Sequence, residues 1–354
     1  NKWNTTLKAL SGATGWMISF DDLVSGSQLD TEFNMVPTLL ENFSLEGNNR
    51  ASDIGGIYMN HCDYFNIRDV MIWRFQRSAL YLNNSVRESL FDDVSVRFCG
   101  KRDATNNDGA GWPAVSFVDR EATTSNAEDK HNGIRLQNSQ IVFSLGDSLH
   151  IDTRQISSGG RKVNNISITD CWIHGWSEKF YGVEFSNTLT NSATLRAYDL
   201  VRVGAAYDVR MKNTRFSYTG QGKPLIALSS STLGGTAISG QTYTPENVQI
   251  VGNFLNSTYS STIVAGEIGV KADAGSGIVS DNTGLYINQL YDVPSGFLAT
   301  QNRQTTAEGL SFDTSIGGYA SGNMQDLGAS PFTLHIKARL PTSIQASAGA
   351  LVSI

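Results

Sequence analysis

Residues 56–75 read GIYMNHCDYFNIRDVMIWRF, and residues 79–98 read ALYLNNSVRESLFDDVSVRF. The second stretch repeats the apolar and polar pattern of the first, 23 residues on. Self-similarity at a period of roughly 20–50 residues marks a solenoid, in which each unit buries its apolar face only against its neighbours.

Further copies follow. NFSLEGNN (42–49), FNIRDVMIWRF (65–75), SLFDDVSVRF (89–98), GIRLQNSQIVF (133–143), NISITDCWIHG (165–175), DVRMKNTRFS (208–217) and NVQIVGNFLN (247–256) each alternate apolar and polar residues around one Asp, Asn or Gly. Alternation predicts a strand with one buried face. The central residue (Gly47, Asp69, Asp93, Asn138, Asp170, Asn213, Gly252) suits a bend in the left-handed region. A shorter apolar segment precedes each copy: GIYMN (56–60), ALYLN (79–83), AVSFV (114–118), SLHID (148–152), GVEFS (182–186) and LIALS (225–229). Strand, bend, strand and loop, repeated about seven times with no competing helical period, predict an all-β fold. The fold class is a right-handed, single-stranded parallel β-helix with rungs about 4.8 Å apart. A β-propeller needs four antiparallel strands per blade, and this spacing is too short for one.

The opening coils occupy residues 1–34, with GWMISFDD (15–22) as one strand, and the β-helix proper covers 35–285. Residues 286–354 read as a connecting segment and the start of a lectin-like C-terminal β-sandwich. That sandwich does not close by Ile354, and the chain opens without Met, so the native protein is expected to be longer.

Only 17% of residues are charged, against about 25% in an average domain. The formal net charge of −6 disfavours nucleic acid, whose phosphates require a basic surface. No apolar run has the roughly 18 residues of a membrane span, and no signal peptide is visible. Cys62, Cys99 and Cys171 fit no zinc spacing and read as free, buried thiols.

Irregular β-helix coils, an Asn/Ser-rich surface, inserted loops and a lectin-like tail together resemble bacteriophage tailspike proteins, the depolymerases of bacterial capsule or O-antigen. The resemblance covers roughly residues 15–290 at the level of coil pattern. It implies a homotrimer in the virion tail, acting outside the host cell on a bacterial surface polysaccharide, with no nucleic acid partner and no membrane insertion. Such proteins share no short catalytic motif, so the resemblance carries over no residue.

Outward residues of successive coils align in columns. The first column reads Tyr58, Tyr81, Ser116, His150, Glu184, Ala227, and the next Asn60, Asn83, Val118, Asp152, Ser186, Ser229. This alignment sets Asp152 and Glu184 on adjacent coils as a carboxylate pair for glycoside hydrolysis. Asp119 is the substitute and His150 the orienting group. A nearby like charge is expected to raise the pKa of one carboxyl. Tyr58, Tyr81 and Trp176 offer rings for sugar stacking, and Arg154 and Arg135 offer polar contacts. A second outward column runs Arg68, Asp92, Gln137, Thr169, Lys212.

The favoured function is an endo-glycosidase. A polysaccharide lyase is the rival, with Arg154 neutralising a uronate and His150 and Tyr81 moving protons. A spike that binds without cleaving is a third reading, and a secreted pectate-lyase-like enzyme a fourth. Asp119, Asp152 and Glu184 are hard oxygen donors suited to Ca²⁺, but no spacing demands a metal and no cofactor is called for. An outward carboxylate on a strand is most often plain solvated surface, so the cluster matters more than any one member.

Overall fold

The computed structural model describes residues 5–21, 38–48, 53–100, 112–119, 131–154, 162–175, 199–217, 223–232, 242–256, 268–285 and 287–300. It also describes the backbone of 303–305, 312–313 and 319–320. These residues form a parallel β-helix. Its strands lie in one nine-stranded and one eighteen-stranded sheet, and every register within those two sheets is parallel. The nine-stranded sheet stacks Gly15–Asp21, Ile54–Asn60, Leu80–Leu82, Val115–Asp119, Leu149–Thr153, Val201–Val203, Ile226–Leu228, Ile268–Ala272 and Gln289–Asp292, one strand per coil.

The eighteen-stranded sheet carries two strands of most coils, joined across a bend. A ladder of residues with positive φ marks that bend: Asn42 (62°), Asp69 (54°), Asp93 (51°), Asn138 (49°), Asp170 (54°), Asn213 (49°), Gly252 (68°) and Asp281 (56°). The flanking registers place all eight in one column. Left-handed backbone is tolerated best by Gly, Asn and Asp, and the column holds only these three. Six of the seven expected bend residues are here. The exception is the first coil, where Asn42 takes the place assigned to Gly47. Gly47 instead lies against the backbone of Arg74, where an added Cβ would stand 2.3 Å from the Arg74 carbonyl oxygen.

After the bends at Asn138, Asn213, Gly252 and Asp281 the next residue turns inward and spends its side chain on backbone groups that the bend strands. Ser139 Oγ accepts from the Val94 N–H (3.0 Å), and Thr214 Oγ1 from the Cys171 N–H (3.3 Å). Asn253 Oδ1 accepts from the Thr214 N–H (3.0 Å), and Asn282 Oδ1 from the Asn253 N–H (3.0 Å). Asn253 Nδ2 also donates to the Met211 carbonyl (3.0 Å). An unsatisfied buried donor or acceptor costs about 1–3 kcal/mol. Asn253→Leu strands two, so it is expected to destabilise the fold by about 3 kcal/mol, read as a lowered denaturant midpoint. Asn253→Thr, which keeps an acceptor as Thr214 does, should lose clearly less.

Inside, Ile57, Leu80, Leu82, Phe91, Phe117, Ile151 and Val203 are fully buried in a continuous apolar core. Cys62, Cys99 and Cys171 are free and buried, as expected. Burial pushes the Cys171 thiol up to about 12.

Two expectations change. The strand after Leu149–Thr153 is Val201–Val203 rather than residues 182–186, so this coil contributes a 52-residue step. The stacking also continues past residue 285. Gln289–Asp292, Phe297–Thr300 and Arg303–Thr305 pair in parallel with the preceding coil, where a connecting segment was expected. Phe312–Asp313 and Tyr319–Ala320 pair antiparallel, and the remainder of the expected sandwich lies outside the described residues.

Candidate functional site

The outer face of the nine-stranded sheet carries the column Ser19, Tyr58, Tyr81, Ser116, His150, Arg202, Ala227, Lys271. Each strand reaches this face because its alternate residues, such as Leu80 and Leu82 or Leu149 and Ile151, are held in the core. Two groups of side chains occupy it.

The first is aromatic. Tyr58 and Tyr81 stack with centroids 5.9 Å apart and planes at 15°. Trp16 lies 5.4 Å from Tyr58 and 5.1 Å from Tyr81, and Trp112 meets Tyr81 at 5.4 Å and the Trp16 edge at 5.8 Å. Gly55 makes room for this packing, since a Cβ there would stand 2.1 Å from the Trp16 ring. The Arg77 guanidinium sits 5.1 Å from the Trp112 ring and binds Asp53 through two bonds (3.1 and 2.7 Å). An amide network borders the rings. Asn83 Nδ2 donates to the Tyr58 hydroxyl (3.2 Å), and Asn84 Nδ2 and Asn83 Nδ2 both reach Asn60 Oδ1 (2.7 and 3.3 Å). Trp16, Tyr58 and Trp112 keep partial exposure, while Tyr81 is 7% exposed.

The second group is polar and buried. Asp152 Oδ1 accepts from the Ala205 N–H (2.7 Å), the Thr153 N–H (2.9 Å) and Ser231 Oγ (2.9 Å). Its Oδ2 faces Arg154 Nε at 2.9 Å and His150 Nε2 at 3.7 Å. Burial alone pushes the Asp152 pKa up, but the charge of Arg154 and the hydrogen bond from Ser231 work against it, and the carboxyl ends below its ordinary value. Asp152 is therefore a fixed anion with its lone pairs in use. Of the expected carboxylate pair, Asp152 is thus not the raised member able to donate a proton, and Glu184 lies outside the described residues.

Burial lowers the His150 pKa to about 4, helped by Arg202 and Arg154 and opposed by Asp152. At neutral pH its imidazole is uncharged. At 3.7 Å its approach to Asp152 is beyond hydrogen-bond range. Among the described residues neither of its nitrogens is hydrogen-bonded, and neither is Ser116 Oγ on the preceding coil. Arg202, on the following coil, is held by Asp199 (3.2 Å) and Asp147 (3.8 Å).

The structure thus brings together His150, Asp152 and Arg154, stacks Tyr58 on Tyr81 on the same face with Tyr81 two coils from His150, and separates other expected members. Arg202 occupies the position beside His150 that the sequence assigned to Glu184. Glu184 and Trp176 lie outside the described residues. Val118 stands beside Asp152, as the alignment of outward residues expected. Asp119 is fully buried opposite Thr153, and its carbonyl accepts from the Arg154 N–H at 2.7 Å. Arg135 belongs to the eighteen-stranded sheet, between Leu90 and Ser167, away from His150. Sequence reasoning passed over Trp16, Arg77, Trp112, Arg202 and Ser231. Trp16 was readable inside the strand it had already assigned, and Trp112 just ahead of AVSFV.

No family model matches the chain, and no curated protein does. Among solved structures the chain is similar to ORF18 of Geobacillus virus E2, with 13% identity over 85% of this chain, 47% of that chain and a TM-score of 0.50. It is also similar to the A-modules of two Azotobacter vinelandii mannuronan C-5 epimerases. AlgE6 shows 14% identity over 86% of this chain and 81% of that one, with a TM-score of 0.47. AlgE4 shows 15% identity over 84% and 80%, with a TM-score of 0.41. The chain spans about half the length of the virus protein it matches. At this identity the likeness is one of fold; the parallel registers of the chain itself define the class, that of parallel β-helix proteins.

Proposed function

We propose that this protein binds and depolymerises a bacterial surface polysaccharide along the outer face of the nine-stranded sheet, as a homotrimeric phage tailspike does. The carrying observation is the Trp16–Tyr58–Tyr81–Trp112 group. It is a partly exposed aromatic surface across neighbouring coils, bordered by Asn60, Asn83 and Asn84. Sugar rings present apolar C–H faces that stack on such rings, and amides orient their hydroxyls. A virus protein among the structures of similar fold agrees with a phage setting.

Two chemistries compete for the step that follows binding. Hydrolysis needs a proton-donating carboxyl and a second carboxylate. Asp152 is committed to its bonds, so a hydrolase relies on Glu184 and one further carboxylate. β-Elimination needs a cation for the uronate carboxylate, a base and an acid. The uncharged His150 between Arg154 and Arg202 favours that second reading. His150 is 1% exposed, so it acts only once the site opens to the ligand.

Mass spectrometry of material released from a panel of encapsulated bacteria tests both. Repeat-unit oligosaccharides with an added water identify a hydrolase, and products with a new C=C bond identify a lyase dependent on His150. Trp112→Ala is expected to cut release by about tenfold, on the order of one stacking contact. Retention of one capsule without release would leave a binding spike. No retention and no release across the panel would overturn the reading.

A further inference from the structure

The strands that follow the bend present another surface. Their outward column runs Met71, Ser95, Gln140, Trp172, Arg215, Phe254, Thr283, with Arg97 two residues along from Ser95. Trp172 is 38% exposed, and among the described residues only the His174 ring meets it, edge-on at 5.3 Å. Arg97 binds Ser95 Oγ (3.1 Å) and Gln140 Oε1 (3.3 Å). Arg215 binds Ser217 Oγ (3.3 Å) and lies over the Phe254 ring at 5.2 Å. All of these partners are neutral.

This is unusual for the chain. Arg68, Arg74, Arg77, Arg87, Arg154, Arg202 and Arg210 each meet a carboxylate. Acids outnumber bases in the chain by 33 to 27, so carboxylates are not scarce. Arg97 and Arg215 nevertheless lack one among the described residues, and the exposed tryptophan stands between them. Arg135 also lacks one there, but it projects from a strand on the other side of the bend.

We propose that Arg97, Gln140, Trp172 and Arg215 form a binding strip for an acidic oligosaccharide carrying carboxylates. A guanidinium fork fits a carboxylate with two parallel bonds, and here two forks stand ready without a competing internal acid. Trp172 supplies the face for the sugar ring that joins the charges. Arg97 and Arg215 are three rungs and two residues apart, about 16 Å between their Cα atoms. That distance exceeds one sugar ring, so the strip reads an oligosaccharide and not a monosaccharide. The strip extends the reading of the protein as polysaccharide-binding and rests on it for the class of ligand. It lies on a different sheet from the Trp16 group.

Affinity electrophoresis through gels containing polygalacturonate, hyaluronate or neutral dextran tests it on the intact chain. The wild-type protein should be retarded by at least one of the two uronate polymers and not by dextran. Arg97→Gln, Arg215→Gln and Trp172→Ala should each weaken that retardation by about tenfold. Lys223→Gln, which removes a charge elsewhere, should not. Retardation by neither uronate polymer overturns the proposal, as does wild-type retardation of the Arg97→Gln/Arg215→Gln double variant. Equal retardation by dextran, or equally tight binding of a single-stranded oligonucleotide, also overturns it. So does a changed oligomeric mass of the Trp172→Ala variant by sedimentation, which would make the strip a contact between copies. Failure here is separable from failure of the function above. If the strip alone is wrong, capsule products still appear and the double variant binds normally. If the function is wrong, no capsule is retained or cut, whatever the uronate gels show.

Discussion

The folded protein should lose stability in two stages as the pH falls. The first runs from about pH 6.5 to about pH 4 and belongs to His150 and His174. Burial lowers both to about 4, with Arg215 adding to the effect at His174. A histidine in the unfolded chain titrates near 6.5. Between these values the unfolded chain binds a proton that the folded chain refuses, so stability rises with pH across the window. It is fully present above about 6.5 and falls as the pH drops toward about 4. Each pKa unit corresponds to about 1.4 kcal/mol, so each histidine accounts for up to about 3 kcal/mol. Below this window Asp152 takes over. Its folded pKa is depressed, so its contribution is complete above the ordinary carboxylate value and is lost as the pH falls through the folded one. Urea midpoints measured from pH 7.5 to 3 should show both declines. His150→Gln, which cannot charge, should roughly halve the slope of the first stage. An unchanged slope in that variant would mean that His150 is not buried uncharged.

The fold was legible because a solenoid repeats its demands. Every coil needs an inward pair of apolar residues and a bend that only Gly, Asn or Asp forms cheaply, and both recur at readable intervals. Asn138, Asp170, Asn213 and Gly252 could be found by that rule alone, and the structure puts them in one column. Where the rule offered two answers, the sequence could not choose. GVEFS and LVRVG alternate identically, and both fall after the strand at 149–153. Only the three-dimensional register selects Val201–Val203, through pairings such as Leu149 with Val201. Asn42 was missed because NFSLEGNN offers several bend-forming residues within one strand length.

The site was legible only in part, because alternation gives direction and not depth. It correctly turned Tyr81, His150 and Asp152 outward. An outward side chain need not meet solvent, however, and His150 and Asp152 are each 1% exposed. Once buried, the charge balance inverts. Asp152, one of the two carboxyls expected to pair, is lowered by its hydrogen bonds and cationic neighbours, and the histidine expected to orient it is uncharged and makes no hydrogen bond among the described residues. One slipped coil also replaced Arg202 with Glu184 in the expected column, which turned a cation beside His150 into an acid. Contacts that depend on the absence of a side chain, at Gly55 and Gly204, have no signature in alternation at all.

Gly204→Ala is expected to be the most damaging single-atom addition on this face. Gly204 follows Val203 on the coil above Asp152, and its N–H donates to the Ile151 carbonyl at 2.8 Å. A Cβ there would stand 2.2 Å from Asp152 Oδ1 and 2.4 Å from Ser231 Oγ. Neither can retreat freely. Oδ1 is held by the Ala205 and Thr153 N–H groups and by Ser231, while Oδ2 is held by Arg154. Pushing the carboxylate aside breaks several of these bonds at once in a place that water does not reach. Overpacking a core costs about 1–3 kcal/mol, and separating a buried ion pair costs about 3–5 kcal/mol. A loss of about 4 kcal/mol is therefore expected, seen as a marked fall in the thermal midpoint. Gly204→Ala combined with Asp152→Ser tests the cause, since the smaller side chain vacates the space a Cβ needs. If the clash with Asp152 is the mechanism, the double variant should lose much less than the sum of the two single losses. Simple additivity would show that Gly204 matters for its backbone alone, and that Asp152 is not seated where the structure places it.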